Sequence, residues 1–113
     1  MARHRSDISD YSDIAILEIS TLSTLFKTIG DPVRLRLLHL LCAEELGVGE
    51  IVRVLDLPQS TVSRHLKTLK DEGLVTDRPV GAATFYRANL EADLGDSGEA
   101  ILRDTLASLM RTT

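Results

Sequence analysis

Residues 57–75 read LPQSTVSRHLKTLKDEGLV. Pro58 suits the start of a helix and Gly73 the left-handed position just past its end. Between Gln59 and Lys70 there is no acid, while Arg64, Lys67 and Lys70 each add a positive charge. On a wheel of about 100° per residue, Val62, Leu66 and Leu69 share one side. Ser60, Ser63, Arg64 and Lys67 share the other, and Gln59 and Thr61 stand in the first turn.

Such a helix has an apolar side that holds it to its own domain and a polar side of donors and acceptors. A helix entering the DNA major groove needs both. Arg64 suits a bidentate bond to guanine and Gln59 suits adenine. Ser60, Thr61 and Ser63 can bond phosphate or base, and Lys67 and Lys70 suit phosphates as point charges. The positive end of the helix also attracts a phosphate.

Outward from this stretch, Val48, Ile51, Val52 and Leu55 form the apolar stripe of a short preceding helix opened by Gly47 and Gly49. Asp56-Leu57-Pro58 breaks it, so Val48–Glu72 reads as a helix-turn-helix. Further upstream, Asp31 is an N-cap and Pro32 the first residue of the apolar helix RLRLLHLLCAEE. An amphipathic helix over Asp13–Ile29 comes before it, and residues 1–10 read as a flexible tail. Downstream, Leu74–Pro79 and Thr84–Arg87 are strand-like around a turn at Val80–Ala83. Residues 89–98, NLEADLGDSG, form an acidic connector. A last helix, Ser97–Met110, carries Ile101, Leu102, Leu106 and Leu109 on its apolar side. The expected fold is mainly α (α+β): five helices and a two-stranded β-hairpin in one domain, residues 11–113.

Composition sets the limits. The chain has 113 residues with 13 Lys and Arg against 17 Asp and Glu, a net charge of −4. That balance argues against indiscriminate nucleic-acid binding and leaves room for one local basic face. With aromatics at 4%, the core must be aliphatic. No apolar run approaches the roughly 18 residues of a membrane span. The first residues are polar and contain acids, unlike a signal peptide. Cys42 stands alone and forms no intrachain disulfide, so a cytoplasmic setting is expected.

The stretch Leu25–Ala88 resembles the ArsR/SmtB family of winged helix-turn-helix transcriptional repressors. The resemblance rests on GDPVRLRLLHLL (30–41), VGEIVRVLDLPQSTVSRHLKTLKDEGLV (48–75) and FYRAN (85–89). It implies a homodimer built from the first and last helices, a wing at residues 74–88, and recognition of double-stranded DNA through Gln59, Ser60, Ser63 and Arg64. The polar side of the wheel and the first turn together include all four. Two-fold symmetry then predicts an inverted-repeat operator with half-sites about 10–10.5 bp apart or a multiple of it. The wing turn carries no charge, but Arg78 and Arg87 flank it as candidates for phosphate contact or for pairing with acids such as Asp77.

Many relatives in that family release DNA on binding metal, often at a Glu-Leu-Cys-Val-Cys pattern. Here Glu45-Leu46-Gly47-Val48-Gly49 puts glycine at both thiolate positions, so no soft-metal site is expected. A second family site needs histidine on the last helix, which has none. No metal and no cofactor are expected, and the inducer stays unnamed. On the second helix His39 reads as a satisfied core or interface histidine and Cys42 as a small buried hydrophobe, with Cys42 also the candidate redox residue. His65 stands at the edge of the inner face and suits a hydrogen bond within the domain or to a DNA phosphate. The alternative to a regulator is a non-enzymatic protein-interaction module, or the N-terminal regulatory module of a longer methyltransferase-type protein. An enzyme is not expected: there is no phosphate-cradling glycine loop, and His65 stands in a poor i, i+2 relation to Ser63.

Overall fold

A computed structural model describes the backbone of residues 5–91, 95 and 97–113, and in the first helix the side chains of residue 16 and from 18 onward. His4 and the side chains of Ile14 and Leu17 lie outside what is described. Helix α1 spans Arg5–Ile29, α2 Pro32–Ala43, α3 Val48–Leu55, α4 Gln59–Asp71 and α5 Gly98–Thr112. Strand β1 is Leu46–Gly47, β2 Val75–Val80 and β3 Ala83–Ala88.

The local signals in the sequence act as their chemistry requires. Asp31 caps α2, its Oδ1 accepting from the backbone N–H of Val33 at 2.9 Å and of Arg34 at 3.1 Å. The Arg34 bond leads in holding the Asp31 carboxyl below its usual range. Helix α4 ends in a Schellman motif around Gly73, which has φ +71°. There Gly73 N–H bonds Lys70 O, and Leu74 N–H reaches back to Leu69 O, both at 2.9 Å. Leu69 and Leu74 are both buried, the apolar contact that accompanies this motif. Gly81, with φ +60°, takes the first central position of the two-residue β2–β3 turn, where a type II′ hairpin needs it.

The hairpin is part of a three-stranded antiparallel sheet in the order β1-β3-β2. Leu46 pairs with Tyr86 and Gly47 with Phe85, so the α2–α3 link forms an edge strand that the sequence reading had left out. Two residues are too few to show a period of two. Register sorts the hairpin side chains into two faces. Asp77 pairs with Tyr86 and Val75 with Ala88 on the inner face; Thr76 pairs with Arg87 and Arg78 with Phe85 on the outer face.

One aliphatic core joins α2, α3, α4, the start of β2 and α5. Leu37, Leu38, Ile51, Val62, Leu66 and Leu69 are almost wholly enclosed. The outer helices differ from expectation. On α5 the residues turned to the core are Ala100, Arg103, Leu106 and Ala107, whereas Ile101 and Leu109 are exposed at 62% and 55%. Ile16, Ile19 and Phe26 of α1 are likewise exposed at 54–57%. A helical period marks apolar residues but does not say which body covers them. The same limit applies to α2: Cys42, expected inside, is exposed, as is His39, so the core position expected as one choice for His39 is not taken. Helix α1 also starts ahead of its apolar period, at Arg5.

Candidate nucleic-acid interface

Helix α4 turns two faces in opposite directions, and the buried one is complete. Val62, Leu66 and Leu69 are 0–1% exposed, and His65 joins them at 5%. Opposite them, Gln59, Ser60, Ser63, Arg64, Lys67 and Lys70 are exposed, with Thr61 half-buried. Pro58 is the N-cap and supplies no side-chain acceptor. The first-turn N–H groups are therefore left without a side-chain cap, as an anion-binding helix end requires.

The cations are not equivalent. Lys67 Nζ lies 2.9 Å from Asp71, one turn on in α4. Lys70 Nζ lies 2.7 Å from Asp77 of β2, and that bond raises its pKa. Arg78 binds Glu45 through Nε and Nη2, with its guanidinium 5.6 Å from the centre of the Phe85 ring. The same contact lowers the Glu45 pKa, with Arg87 adding to it. Among the described residues no acid pairs with Arg64. Exposed ion pairs are weak and exchange readily, so the paired cations are held in place without being removed from use. Of the acids near the wing, Glu45 pairs with Arg78 and Asp77 with Lys70.

Arg78 and Arg87 share the outer hairpin face, turned away from the one that meets α4 through Asp77. Arg87 lines an open cleft with Leu41, Cys42, Asn89 and Arg111. Cys42 is exposed, yet surrounding protein pushes its thiol pKa up by burial, with Arg111 pulling it down. Among the described residues no group of three or more His, Cys, Asp or Glu side chains could hold a metal ion. No helix among them is long and apolar enough to cross a membrane.

Two supporting arginines escaped the sequence reading. Arg34 of α2 donates to the carbonyls of Lys27 and Thr28 at the end of α1, and its Nη1 lies 3.2 Å from His65 Nδ1. Arg103 of α5 is 5% exposed and reaches the far end of α4. A charge between Ala100 and Leu106 on the inner stripe of α5 was the available signal for Arg103. Nothing local marks Arg34, whose partners are scattered along the chain.

Comparison with known proteins agrees with this geometry. Residues 31–77 match the family model described as bacterial regulatory protein, arsR family. The arsenical resistance operon repressor of Staphylococcus xylosus is 40% identical over 70 residues, 62% of this chain and 67% of the relative. The structure of HlyU from Vibrio cholerae is 31% identical with a TM-score of 0.65, covering 82% of this chain and 91% of that one. A homodimeric winged helix-turn-helix DNA-binding domain from Mycobacterium bovis shares the fold, with a TM-score of 0.68 at 23% identity over 99% of this chain and 88% of its own.

Proposed function

The chain belongs to the arsR family of bacterial regulatory proteins, and from that premise we propose a homodimeric, sequence-specific DNA-binding repressor that works by occluding its operator. The observation that carries the reading is the outer face of α4, where Gln59, Ser60, Ser63 and Arg64 stand exposed over a fully buried Val62, Leu66 and Leu69. Helix α4 enters the major groove by its N-terminal turn. Arg64 and Gln59 read base edges, Ser60, Thr61 and Ser63 bond phosphate or base, and Lys67 and Lys70 follow phosphates further along. Arg78 and Arg87 add backbone contacts from the wing. The reading is non-enzymatic and needs no cofactor, and the protein acts in the cytoplasm, where its DNA lies.

The dimer forms through α1 and α5. These helices carry Ile16, Ile19, Phe26, Ile101 and Leu109 in the open, a set of large apolar side chains that a lone chain leaves wet. A two-fold interface there presents two copies of α4, and so an inverted repeat with half-sites about one helical turn apart or a multiple of it.

Affinity measured against salt for a panel of duplexes tests this. The expected log–log slope is about −0.9 per phosphate neutralised. The expected preference for the operator over arbitrary sequence is at least about a thousandfold. Equal, feeble binding to every duplex, or protection of one asymmetric site by a monomer, would overturn it.

A further inference from the structure

The least expected side chain in the domain is Arg103, a guanidinium 5% exposed on the core side of α5. A charge so enclosed persists only when its donors are matched. Here they are matched from three segments of the chain. Nε donates to Glu99 on its own helix at 3.2 Å. Nη2 donates to the carbonyl of Glu72 at 2.9 Å. Nη1 donates to the carbonyls of Gly73 at 3.0 Å and Asn89 at 3.2 Å.

These acceptors have a common meaning. Glu72 is the C-cap of α4 and Gly73 the left-handed residue after it. The Glu72 carbonyl is at the negative end of the helix dipole, where a cation is favoured, and that of Gly73 follows directly after it. Asn89 follows β3, and it is tied to the same corner by its N–H on Leu74 O at 2.8 Å and its side-chain amide on Gly73 O at 3.3 Å. One planar fork on α5 thus grips the end of α4 and the exit of the wing together. A lysine, with a single nitrogen, has no such planar fork.

The outer side of that same α5 carries the exposed Ile101 and Leu109. Resting on the proposed DNA-binding dimer, we infer that Arg103 is the positioning residue that fixes each recognition helix to the dimer interface, and so sets the half-site spacing the protein accepts. Glu99 holds the guanidinium at the interface helix, and the three carbonyls hold the DNA-reading elements to it. Without the fork, the aliphatic core that α4 and α5 share would keep the domain folded, but the end of α4 and the exit of the wing could shift against the partnered helices. A dimer built so would tolerate operators that the native one rejects.

The test uses wild type, Arg103→Met and Arg103→Lys against the operator and versions with one or two base pairs added or removed between half-sites. Each added pair turns one half-site by about 34° relative to the other. Sedimentation and thermal unfolding establish that each variant is folded and dimeric. The expected result is that Arg103→Met reduces the ratio of affinities for native over altered spacing by about tenfold, the equivalent of one hydrogen bond to a charged group. Arg103→Lys falls between it and wild type. An overall loss of affinity at unchanged ratio would show a merely structural role and overturn the inference. Should Arg103→Met fail to fold, Arg103→Lys decides: a flattened preference supports the inference, and a wild-type preference overturns it. A wild-type chain that binds no DNA, or binds as a monomer, refutes the function itself and this inference with it.

Discussion

His65 Nδ1, on the buried face of α4, lies 3.2 Å from Nη1 of Arg34. An arginine only donates, so Nδ1 accepts and the imidazole proton sits on Nε2. Burial lowers the His65 pKa first of all; Asp31 opposes that shift, and Arg64 and Arg34 reinforce it. The folded chain therefore resists a proton that the unfolded chain takes up near the ordinary value of 6.5. Stability from this site is complete above that value and is lost as pH falls below it.

Thermal unfolding between about pH 7.5 and about pH 5.5 should show wild type losing more stability than His65→Gln. The range keeps clear of Asp31 and Glu45, whose lowered pKa values shift their own losses below 3.8 and 4.5. Parallel curves for the two proteins would remove His65 as the cause.

On DNA, Arg64→Ala should relax base preference at one position by about 1–3 kcal/mol. Lys67→Ala should weaken all sequences alike and flatten the salt slope by about one unit. The Lys70–Asp77 pair adds the opposite case. Asp77→Asn frees the ammonium and should tighten binding to every duplex, steepening the slope by as much as about one unit. Unchanged affinity in Asp77→Asn would show that Asp77 does not compete with phosphate for Lys70.

The exposed apolar face predicts that Phe26→Glu or Ile101→Asp yields monomers. Each carboxylate would be buried twice in a two-fold interface, so dimer affinity should fall by at least about a hundredfold. Sedimentation across a concentration series measures this. Dimers of wild-type strength in both variants would place the interface elsewhere.

Gly73→Ala should cost about 1–2 kcal/mol, since φ +71° is strained for any residue with a Cβ. Space is not the obstacle, because the added carbon would meet Arg103 Nη2 at an ordinary 3.5 Å. Gly73→Asn should cost less. Urea midpoints at constant m separate the three proteins, and an unchanged midpoint for Gly73→Ala would contradict the backbone argument.

Cys42 is exposed but holds its proton more tightly than a free thiol, chiefly through burial. Its reaction with a thiol reagent at neutral pH should be slower than that of an unstructured cysteine peptide. Peroxide should leave operator affinity the same in wild type and Cys42→Ser. A wild-type response that the serine variant lacks would make Cys42 a sensor.

What the sequence disclosed was whatever local chemistry decides. Asp31-Pro32 starts α2, Gly73 ends α4, and the Val62, Leu66 and Leu69 stripe gives the inner face, because each depends on residues within a turn or two. The undisclosed parts depend on chain segments far apart. Glu45 meets Arg78 and Arg103 meets Glu72 only once the fold exists, and β1 is a strand only because β3 lies beside it. Ile101 and Leu109 were legible as apolar but not as outward, since burial in a partner and burial in a core leave the same period.

Glu18 of α1 accepts a hydrogen bond from the backbone N–H of Gly98 at 2.8 Å, where Ser97 also caps α5. One carboxylate thus links the two helices that would meet a partner, before any partner arrives. The ordering cost of that surface falls on folding of the single chain and not on the encounter. For the proposed dimer, association is then expected at an ordinary docking rate of about 10⁵–10⁷ M⁻¹s⁻¹.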